Sequence, residues 1–420
     1  MRGAGQQAVM LALMGMLMAC SSGSDSPLYR PSGAPAWIPP PHTPFSDYIR
    51  QNEDRIRQAL VTYHYASLTE PFGPGYPLER AVAMRAPYEL GNAAAQCPQG
   101  PERRGFLLIH GLTDSPYLLR GVAESLQQAF PCALLRGVLL PGHGTVPGDS
   151  LEMRHEDWLR VTEYGVESFR GEVDSLHLVG FSTGTALSLR YAAEHREDAL
   201  LRGLIMLSPA LAARSESAWL SPWARWFTPW LGRDTERDAA RYESFSMNAG
   251  AEFYLLTRGL TAPQFPALTL PVFMAGSGDD TTVDMEAARE FFCSKTPEQS
   301  RRMLWYSAQA TGSVPAASCE GLQVVASESP AHRVYSLSHT AISVPPTDPH
   351  YGLDGDFALC GHFRDADYET CRYDASATVY GERNLGEGGR YKDRLVRRGS
   401  FNPHYDAMLA EMVCFIQADC

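Results

Sequence analysis

The sequence predicts an α/β fold: a mostly parallel sheet covered by helices on both faces, with a small helical cap inserted into it. Three observations predict it. From Arg104 onward, short continuously apolar runs alternate with amphipathic stretches, the pattern of strands buried on both faces by crossover helices. One run, Leu176–Val179, leads straight into Gly180-Phe181-Ser182-Thr183-Gly184 and a helical stretch. A segment of about 211–267 then interrupts the alternation before another strand-helix pair follows.

Of 420 residues, 44% are hydrophobic and 20% charged, enough apolar material for a substantial core. Lys plus Arg total 36 against 48 Asp plus Glu, a net charge of −12. With no basic run, the chain is a poor polyanion binder, so nucleic acid is not expected as a partner.

The elements follow in order. Met1–Ala19 reads as a signal peptide: Arg2 is its early charge, and the apolar stretch Ala8–Ala19 is too short to span a bilayer. It ends in Leu17-Met18-Ala19-Cys20, which resembles the lipobox of bacterial lipoproteins. That resemblance implies cleavage before Cys20 and acylation of its thiol and new amino terminus. The following Ser21 implies the outer membrane rather than the inner; an ordinary secretory signal with an incidental Cys is the alternative. Residues 20–44, rich in Ser, Gly and Pro, read as a tether holding the body off a membrane. The body, 45–420, opens with Ser46 as N-cap and a helix over Tyr48–Tyr63.

Strands are predicted at Gly105–Ile109, Ala133–Leu140, Leu176–Gly180, Leu204–Leu207 and Pro271–Ala275, and a short terminal one at Val334–Leu337. Helices are predicted at Tyr117–Phe130, Glu156–Phe169, Thr183–His195 and Met285–Phe292. Residues 298–330 and 354–398 read as irregular.

The G-x-S-x-G string is weak by itself, but its strand–turn–helix setting is what a nucleophile elbow requires. The glycines make room for a tight turn, and Ser182 falls at a helix N-terminus that favours nearby negative charge. With Leu107-Leu108-Ile109-His110-Gly111-Leu112 and Leu139-Leu140-Pro141-Gly142-His143-Gly144, the chain resembles α/β-hydrolases, nearest the bacterial carboxylesterase and monoacylglycerol-lipase-like group. The resemblance implies the α/β-hydrolase fold and a triad in the order Ser, Asp, His. Pro271–Val283 resembles the acid strand and turn. Counting from Pro271 and counting back from Val283 both put the acid at Asp280, which is taken as the triad acid; counting from Gly276 alone gives Asp279. Among His332, His339, His350, His362 and His404, His339 sits just past the terminal strand and is taken as the base. Ser338-His339-Thr340 and Asp348-Pro349-His350-Tyr351-Gly352 resemble a subset of the group. The backbone N–H groups of Leu112 and Thr183 are the implied oxyanion donors, and His110 and His143 read as loop-shaping residues.

In the cap segment, Trp219, Trp223, Trp226 and Trp230 are spaced four, three and four apart, which predicts one helical face. That face could pack the cap onto the body, form an acyl-binding wall, or touch a membrane. Nine cysteines become one plus eight once Cys20 is set aside. The eight are expected to pair with near neighbours, Cys360–Cys371 and Cys414–Cys420 first among them.

The expected function is hydrolysis of carboxylic esters bearing an apolar acyl group, by a membrane-attached monomer. No nucleotide-binding or metal-protease motif is present, and no cofactor or metal is expected. Two other readings stay open: acyl transfer to an envelope hydroxyl by the same triad, and a binding lipoprotein without chemistry.

Overall fold

A computed structural model describes residues 26–34, 36–64, 77–91, 97, 102–308, 312–382, 394–398 and 401–418. The apolar runs form an eight-stranded sheet: β1 (Tyr88–Gly91), β2 (Arg104–Ile109), β3 (Leu134–Val138), β4 (Ser175–Phe181), β5 (Leu201–Leu207), β6 (Val272–Ser277), β7 (Arg301–Ser307) and β8 (Leu322–Ala326). Their spatial order is β1-β3-β2-β4-β5-β6-β7-β8. All neighbours are parallel except β1, which runs antiparallel to β3.

Strand alternation sends Phe106 and Leu108 into one core layer and Leu107 and Ile109 into the other, so a strand covered on both sides reads as continuously apolar. The first layer is closed by α2 (Leu78–Arg85), α3 (Arg120–Ala129) and α10 (Tyr405–Gln417), joined by the end of α1 (Phe45–Ala59). The second is closed by α4 (His155–Glu167), α5 (Thr183–Glu194) and α8 (Met285–Lys295).

Several expectations need correcting. α1 starts at Phe45 with Pro44 at its N-cap, not Ser46, because the extended Pro44 backbone already redirects the chain. Val334–Leu337 is not a strand; Val334 makes only isolated bridges to Ser329 and Tyr380. The segment 298–330 is not irregular throughout, since it supplies β7 and β8. Nor do residues 26–44 behave as a free spacer. Leu28 is buried, Ser32 donates from N and Oγ to Asp149 at 2.6 and 2.9 Å, and Trp37 stacks on Tyr48 with ring centroids 5.6 Å apart.

Disulfides join Cys97 to Cys132, Cys293 to Cys319 and Cys360 to Cys371, each a near-neighbour pair. Cys414 is also disulfide-bonded, while its expected partner Cys420, like Cys20, lies outside the described residues. The Cys360–Cys371 bridge holds α9 (Asp365–Tyr373) to the preceding loop and is fully buried. Replacing both cysteines by Ala should cost about 2–4 kcal/mol, checked by urea unfolding of the two oxidised proteins.

The insertion between β5 and β6 forms the cap. It holds α6 (Ser221–Ala224), a short antiparallel pair (Trp230–Gly232 with Phe245–Ser246) and α7 (Met247–Thr257). The four tryptophans do not share a helix. Trp219 lies in a 3-10 turn, Trp223 in α6, Trp226 beyond its end and Trp230 in a strand. Pro229 denies the segment a continuous helix, so the spacing never becomes a face. Among the described residues, no helix is long and apolar enough to cross a membrane.

Candidate active site

Ser182 sits between the end of β4 and the start of α5 with φ 52° and ψ −119°. That left-handed backbone is strained for a residue with a side chain, and strain of this kind persists where the surroundings enforce it. The surroundings are tight. A Cβ on Gly184 would lie 1.9 Å from the Ile109 carbonyl oxygen, and one on Gly180 would lie 2.6 Å from Gly184 backbone atoms. The elbow can therefore press against β2 only with glycine at both positions. Thr185 Oγ1 donates to the Ser182 carbonyl at 2.6 Å and accepts from the Ala210 N–H at 2.9 Å, tying the turn to the chain after β5.

His339 meets Ser182 from the other side. Its Nε2 lies 2.8 Å from Ser182 Oγ, and its Nδ1 lies 2.5 Å from Asp280 Oδ2. All three side chains are buried. Asp280 Oδ1 accepts from the N–H groups of Thr282 at 2.7 Å and Val283 at 3.1 Å. Burial pushes the Asp280 carboxyl up, but the His339 charge and these hydrogen bonds outweigh it, and the net direction is down. Asp280 thus stays ionised as an acceptor for the imidazole. Asp279 is drawn elsewhere, accepting from the Ala308 N–H at 3.2 Å. Of the two adjacent carboxylates, Asp280 is the one brought to His339.

The remaining histidines separate by geometry. His110 Nδ1 donates to the Gly111 carbonyl at 2.7 Å, and its Nε2 accepts from the Leu140 N–H at 3.0 Å. His143 Nε2 accepts from the Thr113 N–H at 3.1 Å, with its Nδ1 on the Leu140 carbonyl. Burial holds both rings neutral: His110 is pushed well below its usual range, and His143 down to about 4. Neutral rings with one donor and one acceptor are what these four bonds need. Together they lace the loop after β2 to the loop after β3, positioning Leu112.

A residue that sequence reasoning missed is Ser208, just past β5. Its backbone is left-handed, with φ 47°, and its Oγ donates to the His339 carbonyl at 2.7 Å. A lone Ser after a strand carries no sequence signal, and only the folded contact exposes it. Ser208→Ala should lower kcat on a soluble ester by about 10–100-fold with KM nearly unchanged. Measuring both constants checks that it acts by positioning the base.

Ser182 and His339 open on a cavity of about 500 Å³ beneath the cap, with Asp280 buried behind the imidazole. Leu112, Ser182, Thr183 and His339 line its floor, while Leu220, Ala224, Phe245, Phe253 and Val283 line an apolar wall. Asp114, Arg241 and Arg398 add charge at its edge. Arg241 approaches Asp114 at 3.4 Å. None of the four cap tryptophans lines this cavity. Trp219, Trp223 and Trp226 are exposed, so neither cap-to-body packing nor an acyl wall accounts for them. Among the described residues, one group with metal-like spacing, His155, Glu156 and Glu252, lies outside this cavity. Its Glu252 is taken up by Arg225 and by His155 at 2.6 Å.

A strand–turn–helix bearing Ser182 on a mostly parallel sheet, with His339 and Asp280 hydrogen-bonded beside it, defines an α/β-hydrolase fold. The chain belongs to the alpha/beta hydrolase family, whose model matches residues 106–363, more than half of its length. It is similar to the thermostable monoacylglycerol lipase of Bacillus sp. strain H-257, at 33% identity over 115 residues. That match covers 26% of this chain and 44% of the relative's length. Among solved structures, it is similar to a soluble variant of monoglyceride lipase from Saccharomyces cerevisiae, at 16% identity and TM-score 0.43 over 53% of this chain and 81% of the other. A monoacylglycerol lipase from Paleococcus ferrophilus matches at 20% identity and TM-score 0.41, over 53% and 88%.

Proposed function

We propose that the chain hydrolyses carboxylic esters carrying an apolar acyl group, through an acyl-enzyme on Ser182. The observation that carries this reading is the continuous hydrogen-bonded line Ser182 Oγ–His339 Nε2, His339 Nδ1–Asp280 Oδ2, opening on a largely apolar cavity. His339 takes the Ser182 proton as Oγ attacks the ester carbonyl, and Asp280 keeps the imidazole in the tautomer that can accept it. The N–H groups of Leu112 and Thr183 would meet the oxyanion. Thr183 is the first residue of α5, where the N–H has no partner within the helix. His339 then returns the proton to the departing alcohol, and water, activated by the same ring, releases the acid.

The cavity supports an apolar acyl group. Leu220, Phe245 and Phe253 favour an acyl chain, and a volume of about 500 Å³ falls within the range of small-molecule sites. A fluorophosphonate probe should label the wild-type chain on Ser182 and leave Ser182→Ala unlabelled. Labelling of the variant to the same extent would remove the nucleophile assignment. A series of p-nitrophenyl esters from acetate upward should show kcat/KM rising with acyl length. A product run with glycerol as acceptor separates hydrolysis from acyl transfer.

The proposal extends to the address: acyl chains on Cys20 hold the protein at the bacterial envelope. The lipobox-like Leu17–Cys20 supports it. The mass of the amino-terminal peptide from the purified chain tests it, since an unmodified Cys20 is incompatible with this address.

A further inference from the structure

The cap carries an exposed apolar face that neither the cavity nor the core accounts for. Trp219 is 55% exposed, Trp223 69%, Trp226 76% and Phe227 87%, all within nine residues. A monomer rarely leaves so many large aromatics together in water without a partner for them. The face also runs into the cavity. Leu220 and Leu231, which line the cavity wall, are themselves exposed. The apolar surface is therefore the rim of the cavity mouth.

A second observation says what covers it. The described chain starts at Ser26, and this start lies against the cap. Tyr29 packs edge-on to Trp230 with ring centroids 5.5 Å apart, and its hydroxyl donates to the Asp234 carbonyl at 2.8 Å. Ser26, Tyr29 and Arg30 border one surface depression with Pro229, Trp230 and Leu231. Five residues lie between Cys20 and Ser26, so the two are at most about 20 Å apart even when the chain is fully extended. An acyl chain on Cys20 would thus bring a bilayer to within that distance of Ser26, which borders the same depression as Leu231. A tether free from Cys20 to Thr43 would have let the body turn any face to the lipid; one packed down from Ser26 does not.

We infer that the amino-terminal segment and the aromatic rim of the cap form one docking surface for a lipid bilayer, turning the cavity mouth toward the lipid. Trp and Phe are suited to the headgroup boundary, where an amphipathic or apolar ring leaves water without entering the core of the membrane. Charge contributes little. Ser215–Arg233 contains Glu216, Arg225 and Arg233, and Arg225 is already engaged by Glu252. Docking should therefore persist in 0.5 M NaCl, where a purely electrostatic attachment would be screened. The inference rests on the acylation of Cys20 proposed above for its orientation, and on the exposed face for its contact.

The test uses the purified full chain reconstituted in phosphatidylcholine vesicles whose acyl chains are brominated. Three of the seven tryptophans belong to the exposed face, so emission should fall by roughly 40% if all seven emit equally and the three reach the quencher. Trp223→Asp combined with Phe227→Asp keeps two reporter tryptophans on the face. It should cut the quenching at least about threefold, because a charge at the boundary opposes insertion. Turnover of a soluble short-chain ester should be unchanged in that variant, since neither residue lines the cavity. Quenching no greater than in unbrominated vesicles, with Cys20 acylated and ester turnover normal, would overturn the docking surface and leave the proposed activity standing. An unmodified Cys20 would remove the anchor, and with it the orienting half of the inference, while the quenching still decides the contact. Loss of turnover with quenching intact would count against the proposed activity alone. A dimer that shields the face from the brominated lipid would assign the surface to a second copy and overturn the inference.

Discussion

Ser182→Ala is expected to lower ester turnover by on the order of 10⁴–10⁶-fold, and Asp280→Asn by about 10⁴-fold, while Asp279→Asn stays within about tenfold of wild type. The contrast between the two neighbouring carboxylates is the sharp part. Asp280 Oδ2 accepts from His339 Nδ1, and its other oxygen is held by two backbone N–H groups. An amide there would present its NH₂ or its oxygen, and the backbone donors demand the oxygen on their side. That leaves the NH₂ facing His339 Nδ1, which then has to accept and to carry its proton on Nε2. A ring protonated on Nε2 cannot take the Ser182 proton, so the chemistry stops while the fold survives. Asp279 accepts from Ala308 N–H, a bond an Asn oxygen can replace. Steady-state kcat on a p-nitrophenyl ester for the three variants decides the assignment. A larger loss at Asp279 than at Asp280 would reverse it.

Why the sequence marks Ser182 more sharply than Asp280 follows from local physics. The elbow joins two elements whose periodicities change from strand to helix within five residues, and its glycines answer to contacts of 1.9 and 2.6 Å. The acid lies in a loop, where Ser277 to Thr282 carry no period and two carboxylates stand side by side. Only the direction of the turn after β6 separates them. β7 was hidden for another reason. Arg301 and Arg302 open it, and a buried Arg that bonds the carbonyls of Phe292 and Cys293 looks in sequence like a surface residue. β8 is an edge strand with little of its surface buried, so Leu322–Ala326 shows neither a continuous apolar run nor a clean alternation. The tryptophans misled in the opposite direction. Their spacing imitates a helical stripe, but Pro229 and the turn after Ala224 break the helix that would have aligned them. The strand expected to present His339 is absent, since Val334 makes only isolated bridges. What holds the ring instead is the Ser208 contact to its carbonyl and the carboxylate of Asp280.

His350→Ala is expected to destabilise the fold by about 3–5 kcal/mol at neutral pH, more than loss of any one exposed ion pair. His350 is wholly buried. Its Nε2 lies 3.0 Å from Asp238 Oδ1 and its Nδ1 2.5 Å from Asp356 Oδ1. Tyr351 donates to the other oxygen of Asp238 at 2.6 Å, and Arg80 pairs with Asp356 at 2.6 Å. The cluster fastens the middle of the cap segment, at Asp238, to the loop that follows His339. Burial lowers the imidazole's affinity for a proton, but two carboxylates outweigh it and raise His350 to about 9; Asp238 moves down. The sign of the pH dependence follows. The folded imidazole binds its proton more tightly than the unfolded one, whose value is about 6.5. Its contribution is therefore complete below pH of about 6.5 and is lost as pH rises through about 9. Asp238 works the other way, contributing above its unfolded value of about 3.8 and losing that contribution as pH falls through its depressed folded value. Between these limits the pair is at full strength. Thermal unfolding at pH 6 and pH 9 should show the wild type losing stability across the interval, with His350→Ala losing much less. Removing the imidazole alone strands Asp238 without its cation, so His350→Leu combined with Asp238→Leu should recover part of the loss. If the double variant is no more stable than His350→Ala, the cost comes from packing around the ring, and the buried charges do not fasten the cap.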